Sequence, residues 1–345
     1  MKDVFFTGGY TKQGKGIYVC EWDRKEPQIF VKNVEERCEN PNFITVHRGR
    51  QYLLALNENE MHTWITLFTI TDRENLTLKD RIEIGGKGPC HISTDETGDR
   101  VFYANYESGE IGMVRIRKDG TFDGKPQRIF HKGHSIGPRQ KSPHPHGVHV
   151  LPGQKLVVPD LGKDEVWIYD IRTDVPEAEE ILTVKPGDGP RHAVLHPDGR
   201  ALYIICELEN VIYTYIKEQG RWKEKQRISL LEQGMAGEFI GGEIAVTPDG
   251  KWLFASTRTW GENQEEEGFL TVFKTKDDGC LKFVRMTGSC GSHPRMFTIT
   301  DDGNYILAAN QYTGNLVGLM LNHENAELKL CCSAEIPEIT CVICN

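Results

Sequence analysis

The chain has 345 residues, a formal net charge of −9, 38% hydrophobic and 26% charged residues, an ordinary globular composition with ample apolar material for a core. No apolar run approaches the ~20 residues that span a bilayer, and no basic run or stripe suits nucleic acid, so neither a membrane nor a nucleic acid is expected as a partner. The N-terminus has no signal-peptide core or cleavage site, which makes a cytoplasmic location the expectation.

In chain order, the segment from Met1 to Phe6 enters a strand pattern at once. Val4–Gly9, Gly16–Trp22 and Gln28–Val31 read as three strands, rich in β-branched and aromatic residues. They match the second, third and fourth strands of a four-stranded unit whose first strand is missing. From position 40 one template recurs: a turn with Pro or Gly, a strand, a tight turn, a second strand ending near a polar residue, then a third strand. It opens near positions 40, 88, 142, 189, 241 and 293, at spacings of 48, 54, 47, 52 and 52 residues. Its second strands end at Glu58, Tyr106, Asp160, Glu207, Arg258 and Gln311. Asp-Gly turns at 119, 198, 249, 278 and 302 punctuate it. The acidic cluster Glu262–Glu267 reads as a solvated loop tip. The tail, Ile339–Ile343, is a lone strand with no partner.

A period near 50 residues built of short strands is that of a propeller blade. Joining the tail strand to the N-terminal strands supplies a seventh blade and closes the ring. The expected fold is therefore all-β: a seven-bladed β-propeller, four antiparallel strands per blade, with residues 1–345 forming one domain. A monomer is expected.

The ten cysteines are expected to be free thiols, since nothing indicates export. Cys341 and Cys344 point to opposite faces of a strand, their offset being odd, and Cys331-Cys332 completes no zinc pattern with them. No metal is expected.

In an antiparallel blade the start of the first strand and the end of the second share one edge, so a ring gathers these positions at one mouth of the channel. Strand starts supply His91, His144, His146, Arg191, His192, His293 and Arg295; strand ends supply the residues named above, with Tyr10 after Gly8-Gly9 in the N-terminal strand. Several Arg and His in one concavity suit a small anion, carboxylate or phosphate, and Glu207 among them is a candidate acid or base. His144 and His146 share a strand face while His149 points the other way. Asp160 suits an Asx turn with Gly162. His196 sits at the opposite edge as a turn residue, and Asn105 and Asn310 suit backbone-bonding turns.

Gly88-Pro-Cys-His91, Pro138-Arg-Gln140 with Pro143-His-Pro-His146, Val158-Pro-Asp-Leu-Gly-Lys-Asp164, Gly187-Asp-Gly-Pro-Arg-His192, Glu207, Arg258, Pro294-Arg295 and Ala309-Asn-Gln311 run in order along the whole chain. Together they resemble the 6-phosphogluconolactonase family of seven-bladed β-propeller lactonases, which also includes fungal carboxy-cis,cis-muconate cyclase. The sequence departs from the family's usual Asn-Arg at one strand end, reading Thr257-Arg258, and keeps the arginine. The resemblance implies a metal-free, cofactor-free site of His146 (or His144), Arg191, Arg258 and Glu207. His144, Arg139, His192, Arg295, His91, Glu58, Tyr106 and Gln311 are the expected substrate-binding residues. It implies hydrolysis of a small anionic sugar lactone, 6-phospho-D-glucono-1,5-lactone of the pentose phosphate pathway. Glu207 or His146 would be the base, Arg191 would face the oxyanion, and Arg258 with Arg139 or Arg295 would hold the anion. A carboxymuconate-type lactonising cyclase and a non-catalytic propeller that binds a protein partner are the alternatives.

Overall fold

The computed structural model describes residues 2–25, 28–47, 49 and 51–344. Met1, at the head of the expected first strand, and Asn345, at the end of the chain, lie outside the described residues. The described residues form seven antiparallel four-stranded sheets. Blade 1 orders Ile339–Cys344, Lys2–Gly9, Ile17–Asp23 and Gln28–Glu35. Blade 2 is Phe43–Val46, Tyr52–Glu58, Thr63–Thr71 and Asn75–Glu83. Blade 3 is Pro89–Thr94, Arg100–Asn105, Glu110–Ile116 and Phe122–Phe130. Blade 4 is His149–Leu151, Lys155–Asp160, Glu165–Asp170 and Glu177–Thr183. Blade 5 is Pro190–Leu195, Ala201–Cys206, Val211–Glu218 and Arg221–Ser229. Blade 6 is Phe239–Val246, Trp252–Thr259, Glu267–Thr275 and Leu281–Ser292. Blade 7 is Pro294–Ile299, Tyr305–Asn310, Asn315–Leu321 and Leu328–Glu335. Among the described residues the only helical element is a short 3-10 turn at Gly261–Asn263, and no helix is long and apolar enough to cross a membrane.

The strands form here because both faces of each blade are apolar and alternate with period two. In blade 2, Leu54 and Leu56 pack with Ile92, Val101 and Tyr103 of blade 3, while Leu53 and Ala55 pack with Phe6 and Val19 of blade 1. Seven such clusters, one at each contact between neighbouring blades, make up the core. The core is thus a ring of seams, and it holds only if the ring is complete.

Closure follows the expected route. The tail strand pairs antiparallel with the first N-terminal strand, Ile343 opposite Phe6 and Cys341 opposite Gly8. Thr340 Oγ1 donates to the carbonyls of Gly8 and Asn42, tying blade 1 to blade 2. Gly8 must be glycine, because a Cβ there would lie 2.2 Å from the Pro41 carbonyl oxygen. Cys341 and Cys344 serve opposite seams, toward blade 2 and blade 7.

Ile339, Cys341 and Val342 are fully buried, and burying each side chain is worth about 1.5–3 kcal/mol, a large share of a typical net stability of about 5–15 kcal/mol. Deleting residues 339–345 is therefore expected to abolish cooperative thermal unfolding or to lower Tm by more than 10 °C, read by circular dichroism; an unchanged Tm would show that the ring does not depend on this strand.

Candidate functional site

The first strands of blades 3, 5 and 7 open on one device: a proline followed by a register shift. The shift falls between Pro89 and His91, between Pro190 and His192, and between Pro294 and Met296. A β-bulge of this kind frees one residue from pairing and re-aims its side chain, and the freed residues are Cys90, Arg191 and Arg295. Blade 6 has its own shift between Gly241 and Ile244, where a double glycine brings two carbonyls to the axis. A Cβ on Gly242 would meet Ser256 Oγ at 2.3 Å, and one on Gly241 the Cys206 carbonyl oxygen at 2.9 Å, so larger residues do not fit.

These bulges and the ends of the second strands surround a cavity of about 240 Å³. At its floor lies Glu207, with 2% of its surface exposed. Arg139 Nη2 forms an ion pair with its Oε1 at 2.7 Å. Arg191 Nη1 donates to its Oε2 at 2.9 Å, and Arg258 Nη2 forms an ion pair with the same oxygen at 3.0 Å. The two buried arginines are braced by the double glycine: Arg191 Nε donates to the Gly242 carbonyl at 3.0 Å and Arg258 Nη2 to the Gly241 carbonyl at 2.6 Å. His146 is also buried; its Nε2 contacts Arg191 Nη1 and lies 3.8 Å from Glu207 Oε2.

Charge follows from this geometry. Burial alone would push the Glu207 carboxyl up, but Arg258, Arg191 and Arg139 outweigh it and hold the group well below the usual carboxylate range. Burial pulls the Arg258 guanidinium down to about 9, against the opposing pull of Glu207. Burial, reinforced by the Arg191 charge, holds His146 well below 6.5. At neutral pH the floor is an ionised carboxylate, three guanidiniums and a neutral imidazole.

The expected site residues separate into layers. Glu58, Tyr106, Arg139, His146, Arg191, Glu207, Arg258 and Arg295 line the cavity. Arg295 Nη1 donates to Gln311 at 3.3 Å, and among the described residues no carboxylate lies within ion-pair distance of it. Gln311 is therefore a support of Arg295 and not part of the wall. His144 stacks behind Tyr106, ring centroids 4.3 Å apart, and its Nδ1 donates to the Tyr106 carbonyl at 2.7 Å. His91 and His192 lie deeper, in a cluster with His146 and His149. The His192 ring is 5.1 Å from His91 and 5.5 Å from both His146 and His149, and its Nδ1 is 3.0 Å from Glu243 Oε1.

His149 corrects the sequence-based expectation. The blade 4 strand begins only at His149, and residue 145 makes an isolated bridge to Asp160, so strand alternation does not apply to residues 144–148 and His149 turns to the axis with His146. Asp160 caps Gly162 as expected, at 3.1 Å, and Asn105 and Asn310 bond backbone carbonyls. His196 contacts the Gly250 carbonyl away from the cavity. Trp260 and Tyr312, which also line the cavity, escaped the sequence reading because they lie one or two residues beyond the strand ends. His293, named only as a strand start, lines it as well. Among the described residues no group of three or more His, Cys, Asp or Glu is arranged to hold a metal ion. A larger groove of about 620 Å³ runs between blades 4 and 5, lined by residues such as Lys155, Glu179 and Trp222; it gathers no comparable set of buried ionisable groups.

A family model described as "Lactonase, 7-bladed beta-propeller" matches residues 4–344. The 6-phosphogluconolactonase of Bacillus subtilis is 28% identical, over 99% of this chain and 98% of that protein. An uncharacterized protein of Lactococcus lactis is 31% identical over 99% of each. In fold, the periplasmic gluconolactonase PpgL of Pseudomonas aeruginosa superposes with a TM-score of 0.91 at 24% identity, covering 100% of this chain and 99% of that one.

The buried imidazoles make stability sensitive to mild acid. Burial, followed by neighbouring imidazoles and arginines, lowers His91, His146, His149 and His192, and takes His293 to about 2. Their folded values lie below the unfolded value near 6.5, so below that pH the unfolded chain binds protons that the folded chain refuses. Stability then falls with pH by up to ~1.4 kcal/mol per unit for each imidazole. Lowered carboxyls such as Glu207 act only below the ordinary carboxylate range. Tm is expected to fall steadily from pH 6.5 to 5.5; a flat Tm across that interval would contradict the buried neutral cluster.

Proposed function

Because the chain belongs to the family of seven-bladed β-propeller lactonases, we propose that its mouth hydrolyses a sugar δ-lactone carrying an anionic group, with 6-phospho-D-glucono-1,5-lactone as the substrate. The observation that carries the reading is the division of labour among the arginines. Three are paired with Glu207, while Arg295, half-buried in the cavity wall, has the neutral Gln311 amide and the Tyr10 ring as side-chain partners and no carboxylate within ion-pair distance among the described residues. A half-buried guanidinium without a counter-ion is well placed to take an anion, and a substrate phosphate supplies one.

Hydrolysis adds water to the ring carbonyl, so it needs a proton acceptor for the water and positive charge at the developing oxyanion. His146 is the acceptor in this reading. Its imidazole is neutral at working pH, and Glu207 stands 3.8 Å away to balance the imidazolium that forms. Glu207 is the weaker candidate for base, since three guanidiniums face its carboxylate whereas one, that of Arg191, touches the His146 ring. Arg191, which touches His146, lends its charge to the oxyanion; Arg295 holds the phosphate. The steps use side chains alone, so a chelator is expected to leave the rate unchanged.

The substrate assignment is tested by comparing phosphorylated gluconolactone, unphosphorylated aldonolactones and carboxymuconate with the purified protein. The phosphorylated lactone is expected to have the highest kcat/KM, Arg295→Met to raise KM for it at least tenfold, and His146→Gln to lower kcat by ~10²–10⁴. Equal rates on both gluconolactones would remove the phosphate site, and turnover of carboxymuconate alone would replace hydrolysis by lactonisation.

A further inference from the structure

The mouth holds a second glutamate at the same place in the repeat as Glu207. In blade 5 the register pairs His192 with Ile205, in blade 3 His91 with Ala104, in blade 7 Met296 with Ala309 and in blade 2 Phe43 with Leu56. Counting two residues on from each second-strand partner aligns Glu58 with Tyr106, Glu207 and Gln311. Counting one residue back from each first-strand partner aligns Asn42 with Cys90, Arg191 and Arg295. The contacts repeat as well. Arg191 donates to Glu207 at 2.9 Å, Arg295 to Gln311 at 3.3 Å, and Asn42 Nδ2 to Glu58 Oε1 at 3.0 Å.

Blade 2 thus carries the glutamate of blade 5 with a neutral amide where blade 5 has a guanidinium. Blades 2 and 5 are three apart in a ring of seven, so the two carboxyls face one another across the cavity that both line. Glu58 Oε2 accepts no hydrogen bond from any described residue. The charged or titratable groups that face Glu58 are Glu107, Arg295 and Cys90. Burial raises the Glu58 carboxyl, partly offset by Asn42 and Arg295, whereas Glu207 is held down; environments that push two carboxyls apart in this way sort them into acid and base sides.

We infer that Glu58 is the proton donor to the ring oxygen of the lactone, opposite the water-activating side formed by His146 and Glu207. The inference rests on the lactonase reading. Water attacks the carbonyl carbon and gives its proton to His146, forming the new C–O bond. As the tetrahedral intermediate collapses, the bond from that carbon to the ring oxygen breaks and its electron pair stays on the oxygen. The Glu58 proton moves to that oxygen, which leaves as a hydroxyl. Glu58 regains a proton from solvent at the open mouth, and His146 releases its own.

The test is Glu58→Gln, a substitution of equal shape, with Glu58→Asp as the conservative partner. Steady-state rates on the phosphorylated and unphosphorylated gluconolactones are measured from pH 5.5 to 8.5, with uncatalysed hydrolysis subtracted. Expected for Glu58→Gln are a kcat lowered by about 10²-fold, KM within threefold of the parent, an unchanged Tm and loss of the alkaline limb of the kcat/KM profile. Glu58→Asp is expected to recover part of kcat and keep the limb. Undiminished kcat in Glu58→Gln, or a loss confined to KM, or a persisting alkaline limb would overturn the donor role while leaving the lactonase reading in place. Failure of the parent protein to hydrolyse any lactone would overturn that reading itself.

Discussion

One carboxylate holds the centre of this molecule together. Glu207 brings three guanidiniums from three parts of the chain onto two oxygen atoms: Arg191 from its own blade, Arg258 from the next, and Arg139 from the long irregular connection before blade 4. Buried charges are tolerated only when paired and hydrogen-bonded, and here each cation needs the same anion. The double glycine of blade 6 completes the arrangement, because its carbonyls accept from Arg191 Nε and Arg258 Nη2 at positions that larger residues would block.

The propeller explains how such a cluster can be built. Blades 2, 3, 5 and 7 present the same two positions to the mouth, one at the start of the first strand, freed by a bulge in blades 3, 5 and 7, and one just past the end of the second. Different residues at those positions turn a structural repeat into distinct functions: a guanidinium with a carboxylate in blade 5, a guanidinium with an amide in blade 7, an amide with a carboxyl in blade 2. The ring supplies rigidity from its seven apolar seams, and the chemistry lies in which pair each blade carries.

Much of this is legible in the sequence. The blades announce themselves through alternating apolar residues and Asp-Gly turns, and the absent first strand at the N-terminus identifies the tail as its replacement. Because the repeat register is readable, so is the edge at which Arg191, Glu207, Arg258 and Arg295 meet. What the register does not convey is how side chains pair once they arrive. Glu207 reads equally well as a base until the three guanidiniums on it are seen. His149 reads as facing away because alternation is assumed where the backbone is irregular. Trp260 and Tyr312 belong to loops just past the strands, where no periodicity constrains them, and the kinship of Asn42 with Arg191 emerges only from the paired register of all the blades.

Glu207 is the anion on which the buried arginines Arg191 and Arg258 depend. Chemical denaturation of Glu207→Gln measures this directly. Leaving buried guanidiniums without their counter-charge is expected to cost about 3–5 kcal/mol of unfolding free energy, with part of the loss restored by inorganic phosphate binding in the cup. An unfolding free energy within about 0.5 kcal/mol of the parent, with or without phosphate, would contradict it, since surface changes of that size are what a solvated strand end would give.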